Sequence, residues 1–213
     1  MNTNRAAALA ITVGSLAGLL TMTLHPTGGD VIRDASSGMT NVLSTSVHWL
    51  ALVAQPLILA GALALTLRLR ARRDLAVSAY VFFTLASVAA VMSAVASGFL
   101  APGVLRGMHE ADAATRAVMM SDLRYTRLLN QAFATLYAVF GGIAILLWSA
   151  AVLVGRELTR ALAVYGVLLS TALILGVMSG HLSLGIHGFG LVILGVGAWM
   201  IWAAAQLWRL ADS

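Results

Sequence analysis

The sequence predicts an all-α, polytopic membrane protein with six transmembrane helices in a single bundle, and three observations carry that prediction. Of 213 residues, 60% are hydrophobic and only 10% charged, where soluble domains hold about 45–50% apolar and about 25% charged residues. Mean hydropathy is +0.92, so a water-soluble fold would have nowhere to put its uncharged faces. Six apolar runs of roughly 20 residues each are long enough, at about 1.5 Å per residue, to cross a hydrocarbon core of about 30 Å. The connections between them are too short for a separate soluble domain, so residues 1–213 form one integral membrane domain.

The first run covers residues 6–25. Arg5 before it would suit a signal peptide, but the run is long for one and no convincing A-x-A site follows, so it is a span. Gly14-x-x-x-Gly18 inside it marks a close helix-packing face. Residues 26–46 are a polar connection with Pro26, Gly28, Gly29, Asp30, Arg33 and Asp34. The second span runs over 47–66 and ends in Arg68, Arg70, Arg72 and Arg73. The third covers 76–100 and stops at Pro102-Gly103, because proline cannot continue a helix interior.

Residues 101–131 are the longest connection. From 109 to 129 they read as helical, with Val118, Met119, Leu123 and Leu128 on an apolar face and Arg116, Asp122 and Arg127 elsewhere. This predicts an interfacial helix, or an extension of the fourth span, acting as a lid. The fourth span covers 132–154, the fifth 161–182 and the sixth 186–207. Trp49, Trp148, Trp199, Trp202 and Trp208 fall near span ends, where interfacial anchors sit.

Six spans put both termini on one side. That side collects Arg5, Arg68, Arg70, Arg72, Arg73, Arg156, Arg160 and Arg209, against Arg33, Arg106, Arg116, Arg124 and Arg127 on the other. The positive-inside rule makes the richer side cytoplasmic. The same placement accounts for the net charge of +5 and a pI near 10.7, so no nucleic-acid partner is implied; the partners expected are the lipid bilayer and a metal ion or small molecule at the outer face. The chain remains open to oligomerisation. There is no Cys, which removes disulfides and thiolate ligands, and no Lys. Arg-only basicity with abundant Ala and Gly points to a GC-rich bacterial genome and so to the bacterial inner membrane.

All five histidines then lie on the extracytoplasmic side. His25, His48, His181 and His187 fall at span ends, and His109 opens the long connection. The words repeat: Met22-x-x-His25 closes the first run as Met178-x-x-His181 closes the fifth, and Val47-His48 opens the second as Ile186-His187 opens the sixth. This predicts a parallel repeat of spans 1–2 and 5–6, whose four imidazoles line one mouth with at least three reaching a common centre. Without Cys, imidazoles with nearby carboxylates suit Zn, Cu or Fe. His109, beside Glu110 and Asp112, is a further candidate ligand, and Gln55 a polar group deeper on the face of His48. Met22 and Met178 read as packing residues, though a thioether near imidazole would favour copper.

Three functions are compatible with this pattern. The first is a histidine metal site at the outer face, serving metal handling or redox chemistry. The second is a b-type haem clamped by a pair such as His48 and His187, with Arg33, Arg106 or Arg124 on the propionates and Gly185, Gly188 and Gly190 making room. The third is a non-catalytic subunit or small-solute carrier whose histidines sense pH or merely occupy the interface. No G-x-S-x-G, H-E-x-x-H or phosphate-binding glycine loop occurs, and no span carries an Asp or Glu that would mark a proton pump.

Overall fold

The computed structural model describes residues 3–26, 42–108 and 110–211, and these are helical nearly throughout. In chain order the elements are α1 (Thr3–Thr23), α2 (Val42–Arg68), α3 (Arg73–Val95), a π-helical turn (Ala96–Leu100), α4 (Ala101–Gly107), α5 (Ala113–Gly155), α6 (Arg160–Met178) and α7 (Ile186–Arg209). With α3, the π turn and α4 forming one rod, six helical segments are long and apolar enough to cross a membrane. Each leaves large apolar side chains exposed, among them Leu9, Val13, Leu16 and Leu20 of α1 and Leu168, Leu175 and Met178 of α6. Such faces fit a lipid environment, since nothing among the described residues covers them.

In lipid the burial of apolar surface no longer drives helices together, so close packing and interhelical hydrogen bonds must. The α1–α2 pair shows how. Ala7, Ile11 and Gly14 on α1 have the same spacing as Ala54, Ile58 and Gly61 on α2. Each isoleucine lies in the notch left by the opposite glycine. A Cβ added to Gly14 would strike Ile58 and approach the Ala54 carbonyl oxygen to 3.1 Å; one on Gly61 would strike Ile11 and approach the Ala7 carbonyl oxygen to 2.9 Å. Gly18, the other half of the expected motif, faces α7 instead, with Ile193 at 3.9 Å from its would-be Cβ.

α2 packs on α3, α3 most extensively on α5, α5 on α6, and α1 also on α7, whereas α6 and α7 touch each other little. Two of the five tryptophans are core residues and not the interfacial anchors that position in sequence implied. Trp148 and Trp199 have no exposed surface and stack with ring centroids 5.8 Å apart. The Trp148 indole N–H donates to Thr66 Oγ1 at 3.1 Å, a partner that lets a polar aromatic sit inside. Trp49, Trp202 and Trp208 are exposed, as anchors should be.

One end of the molecule gathers eight of the arginines, Arg5, Arg68, Arg70, Arg72, Arg73, Arg156, Arg160 and Arg209. Arg5 lies over the Trp208 ring at 5.6 Å, which joins the start of α1 to the end of α7. The Ala71 N–H donates to Glu157 Oε1 at 2.9 Å, joining the α2–α3 connection to the α5–α6 connection. Gln206 clamps that second connection as well: its Oε1 accepts from the Thr159 N–H at 2.8 Å and its Nε2 donates to Thr159 Oγ1 at 2.9 Å.

At the other end two expectations are corrected. The third span does not stop at Pro102-Gly103. Proline at 102 cannot donate to the Gly98 carbonyl and its ring would crowd it, so the helix widens there: the Ala101 N–H reaches the Ala96 carbonyl, five residues back, and the rod continues to Gly107. The 101–131 connection is also not mainly an interfacial helix. Asp112 caps α5, its carboxylate accepting from the Thr115 N–H at 2.7 Å. From there α5 runs unbroken for 43 residues, about 65 Å, twice the hydrocarbon thickness. It is the extension of the fourth span, and its N-terminal part packs beside α4, with Met119 against Gly107.

Candidate functional site

Where α1, α2 and the π turn meet, a polar cluster is assembled from the backbone outward. α2 begins at Val42, five residues before the expected start, because Ser44, Thr45 and Ser46 are absorbed into its first turns. His48 therefore lies inside the helix and is 3% exposed. Its Nδ1 is 2.6 Å from the Ser44 carbonyl oxygen one turn back. Thr21 ties α1 to α2 at this level, its hydroxyl shared between the Ala17 carbonyl at 2.9 Å and the Val47 carbonyl at 3.2 Å. Two residues beyond the end of α1, His25 is half-buried, with Nδ1 2.8 Å from the carbonyl oxygen of Pro26.

The two rings meet edge to edge. His25 Nε2 and His48 Nε2 are 3.2 Å apart, with centroids 4.8 Å apart and planes at 73°. A third atom closes the cluster: Ser97 Oγ, on the π turn, is 2.9 Å from His48 Nε2. The next residue, Gly98, lets the π turn lie directly on the imidazole, since a Cβ there would overlap the His48 ring. Ser97 Oγ also donates to the Ser93 carbonyl at 2.9 Å. Ser93 Oγ donates in turn to Asn130 Oδ1, which fixes α5 to the same level.

The protons around this cluster can be assigned by what each partner accepts. A carbonyl oxygen only accepts, so Nδ1 carries the hydrogen in both rings, and each neutral imidazole then presents a bare lone pair at Nε2. These lone pairs face each other across 3.2 Å. Ser97 brings a hydroxyl hydrogen to this point, which the Ser93 carbonyl also claims. A cation between the two facing lone pairs would relieve their repulsion. Backbone carbonyls holding the Nδ1–H of both rings are also what orients an imidazole for ligation through Nε2.

The other histidines are placed differently. His181 is exposed, with Nδ1 2.9 Å from the hydroxyl of Ser179. His187 is exposed in the first turn of α7. The expected convergence of at least three histidines is not found: among the described residues no three His, Cys, Asp or Glu side chains come together as a metal-holding group. The physical reason lies in the α6–α7 turn. Gly180 adopts φ +76°, the Leu182 N–H folds back to the Gly176 carbonyl at 2.8 Å, and the Leu182 side chain lies against Gly176. His181, between the exposed Gly180 and the inward Leu182, is left facing out. His109 lies outside the described residues. Gln55 is half-buried on α2, Met22 reaches toward Gly190, and Met178 is exposed.

Sequence reasoning missed Ser44, Ser93, Ser97, Gly98 and Asn130. A usable signal was present: Ser93 and Ser97 stand four residues apart in an apolar span, followed by Gly98 and then Pro102, a spacing that places two hydroxyls on one helix face just before a break. Comparison with family models, curated proteins and solved structures finds no match to this chain.

Proposed function

We propose that the protein is a metal-handling membrane protein that captures a transition-metal ion between His25 and His48. One observation carries this reading: two Nε2 atoms, each bare because its ring's Nδ1–H is held by a carbonyl, face each other at 3.2 Å. Two imidazoles and a neutral hydroxyl make a modest ligand set, which favours transient capture over a permanent redox centre. In this reading the histidine end faces the outside of a bacterial inner membrane and the arginine end the cytoplasm, with both termini there and the six spans in a single bundle.

The ring geometry favours this reading over the pH-sensing alternative. A straight N–H···N bond joining the rings head-on would hold their centroids about 5.5 Å apart. They are 4.8 Å apart, so the nitrogens are tilted off the line between them, as two ligands of one ion are. Haem is disfavoured at this pair, because axial nitrogens across iron stand about 4 Å apart with a macrocycle between them. His48 Nε2 faces His25 and Ser97, with the Gly98 backbone against its ring, which leaves no room at that nitrogen for a macrocycle shared with His187.

The test is equilibrium binding of Zn²⁺ to the full chain in detergent. His25→Gln or His48→Gln should weaken it by an order of magnitude or more, and His187→Gln should leave it unchanged. Binding that survives both of the first two substitutions would end the reading. Reporter fusions that put Arg72 and Asp112 on the same side of the membrane would sink the topology.

A further inference from the structure

The cluster also constrains which ions it can hold. With metal–nitrogen bonds of about 2.0–2.1 Å, nitrogens 3.2 Å apart subtend about 100° at the ion. Ring centroids would then stand about 5.0 Å apart, against 4.8 Å found. An ion that prefers two ligands in a straight line would need the nitrogens about 4 Å apart. His48 cannot withdraw to that distance, because its ring lies on the backbone of Gly98 and its Nδ1 is tied to Ser44. Ser97 Oγ, 2.9 Å from His48 Nε2, is at the spacing of a neighbouring ligand. Its hydrogen has the Ser93 carbonyl to go to, which frees a lone pair for the ion.

Resting on the metal-capture reading, we infer that His25 Nε2, His48 Nε2 and Ser97 Oγ form one angular face for a divalent ion of tetrahedral habit, such as Zn²⁺, whose fourth position is filled by water or an incoming donor. Linear, monovalent Cu⁺ and Ag⁺ are selected against by angle, although imidazole alone would accept them. No carboxylate or thiolate from the described residues joins the site.

The experiment uses the full chain in detergent, with Co²⁺ as the spectroscopic stand-in for Zn²⁺ and Ag⁺ as the linear competitor. The expected result is a Co²⁺ complex with the intense visible bands of four-coordinate geometry, displaced by Zn²⁺ and at least tenfold tighter than Ag⁺. Ser97→Cys should add a sulfur-to-cobalt charge-transfer band, because the new thiolate takes the position of the hydroxyl. Weak six-coordinate bands, or Ag⁺ binding more tightly than Zn²⁺, would overturn the angular face while leaving metal capture intact. A Ser97→Cys protein that binds Co²⁺ without the new band removes Ser97 from the ligand set. No binding of any of the three ions would overturn the metal-capture reading itself.

Discussion

The α1–α2 and α6–α7 hairpins begin from nearly the same words and end in opposite states. In both, a Met-x-x-His closes one helix and an aliphatic-His pair belongs to the next. In the first, the histidines are drawn to 3.2 Å and one is buried; in the second, both are exposed. Three differences account for this. The first hairpin is interlocked by reciprocal glycine and isoleucine contacts, while α6 and α7 touch little. Val47 and His48 lie more than a turn inside α2, whereas Ile186 and His187 are the first residues of α7. Finally, a third helix widens at its π turn to cover His48. A histidine at a span end is an interfacial ring by default; backbone brought close on two sides makes it a buried, held ring.

Breaking the interlock should produce the largest effect. Gly14→Leu and Gly61→Leu each force a side chain into the opposite backbone, and overpacking of this kind costs about 1–3 kcal/mol or more. Thermal unfolding in detergent should show a clear loss, with metal capture lost alongside it. Gly18→Ala, which meets only Ile193 at van der Waals distance, should change little. Equal losses from Gly14→Ala and Gly18→Ala would remove the interlock as the cause of the difference between hairpins.

A second comparison isolates the π turn. Gly98→Ala places a methyl group into the His48 ring, while Gly185→Ala, at the corresponding edge of the second hairpin, meets nothing within 4 Å. Zn²⁺ titration should show at least about a tenfold weakening for the first, equivalent to about 1.4 kcal/mol, and no change for the second. Smaller again is the hydroxyl pair. Ser97→Ala should weaken Zn²⁺ binding by a few-fold, and Ser179→Ala, which only frees an exposed His181, should leave it alone.

Acidification sharpens the same contrast. Only neutral imidazole ligates, so Zn²⁺ binding at the first hairpin should weaken on acidification. At the tip of α5 a different group titrates. The Thr115 backbone N–H, with help from the Thr115 hydroxyl, holds the Asp112 carboxyl below its ordinary range. Its cap is therefore in place above the usual carboxylate pKa, near about 4, and is lost as pH falls through the lower folded value. Amide exchange over residues 113–116 should quicken there and in Asp112→Ala, the smallest of these effects, with the membrane-spanning part unmoved.

The helical spans were legible because apolar length alone decides them, and the structure places each within a few residues of its expected bounds at one end at least. The start of α2 was not legible, since Ser44, Thr45 and Ser46 read as loop until Ser44 is seen buried with its carbonyl holding His48. Pro102 read as a stop because the sequence does not show that a helix can widen around it. Trp148 and Trp199 sit at positions where an anchor and a core residue look alike until Thr66 and the stacked ring are in place. The pairing of His25 with His48 depends on the rotation of α1 against α2, which the matched spacing of Ala7, Ile11, Gly14 and Ala54, Ile58, Gly61 encodes. The placement of His181 depends on a glycine-bounded turn whose outcome emerges only in three dimensions.

The π turn has a consequence for changes in chain length. A helix that reaches back five residues instead of four carries, in effect, one residue more than its register needs. Removing Ala96 would restore an ordinary helix and turn everything after it by about 100° relative to α3, carrying Ser97 and Gly98 away from His48. Removing Leu100 would take out the same surplus while leaving Ser97 and Gly98 in step with α3. Single-residue deletions in a membrane span usually damage folding wherever they fall; along these five positions they instead separate a chain that still inserts from one that still holds its site.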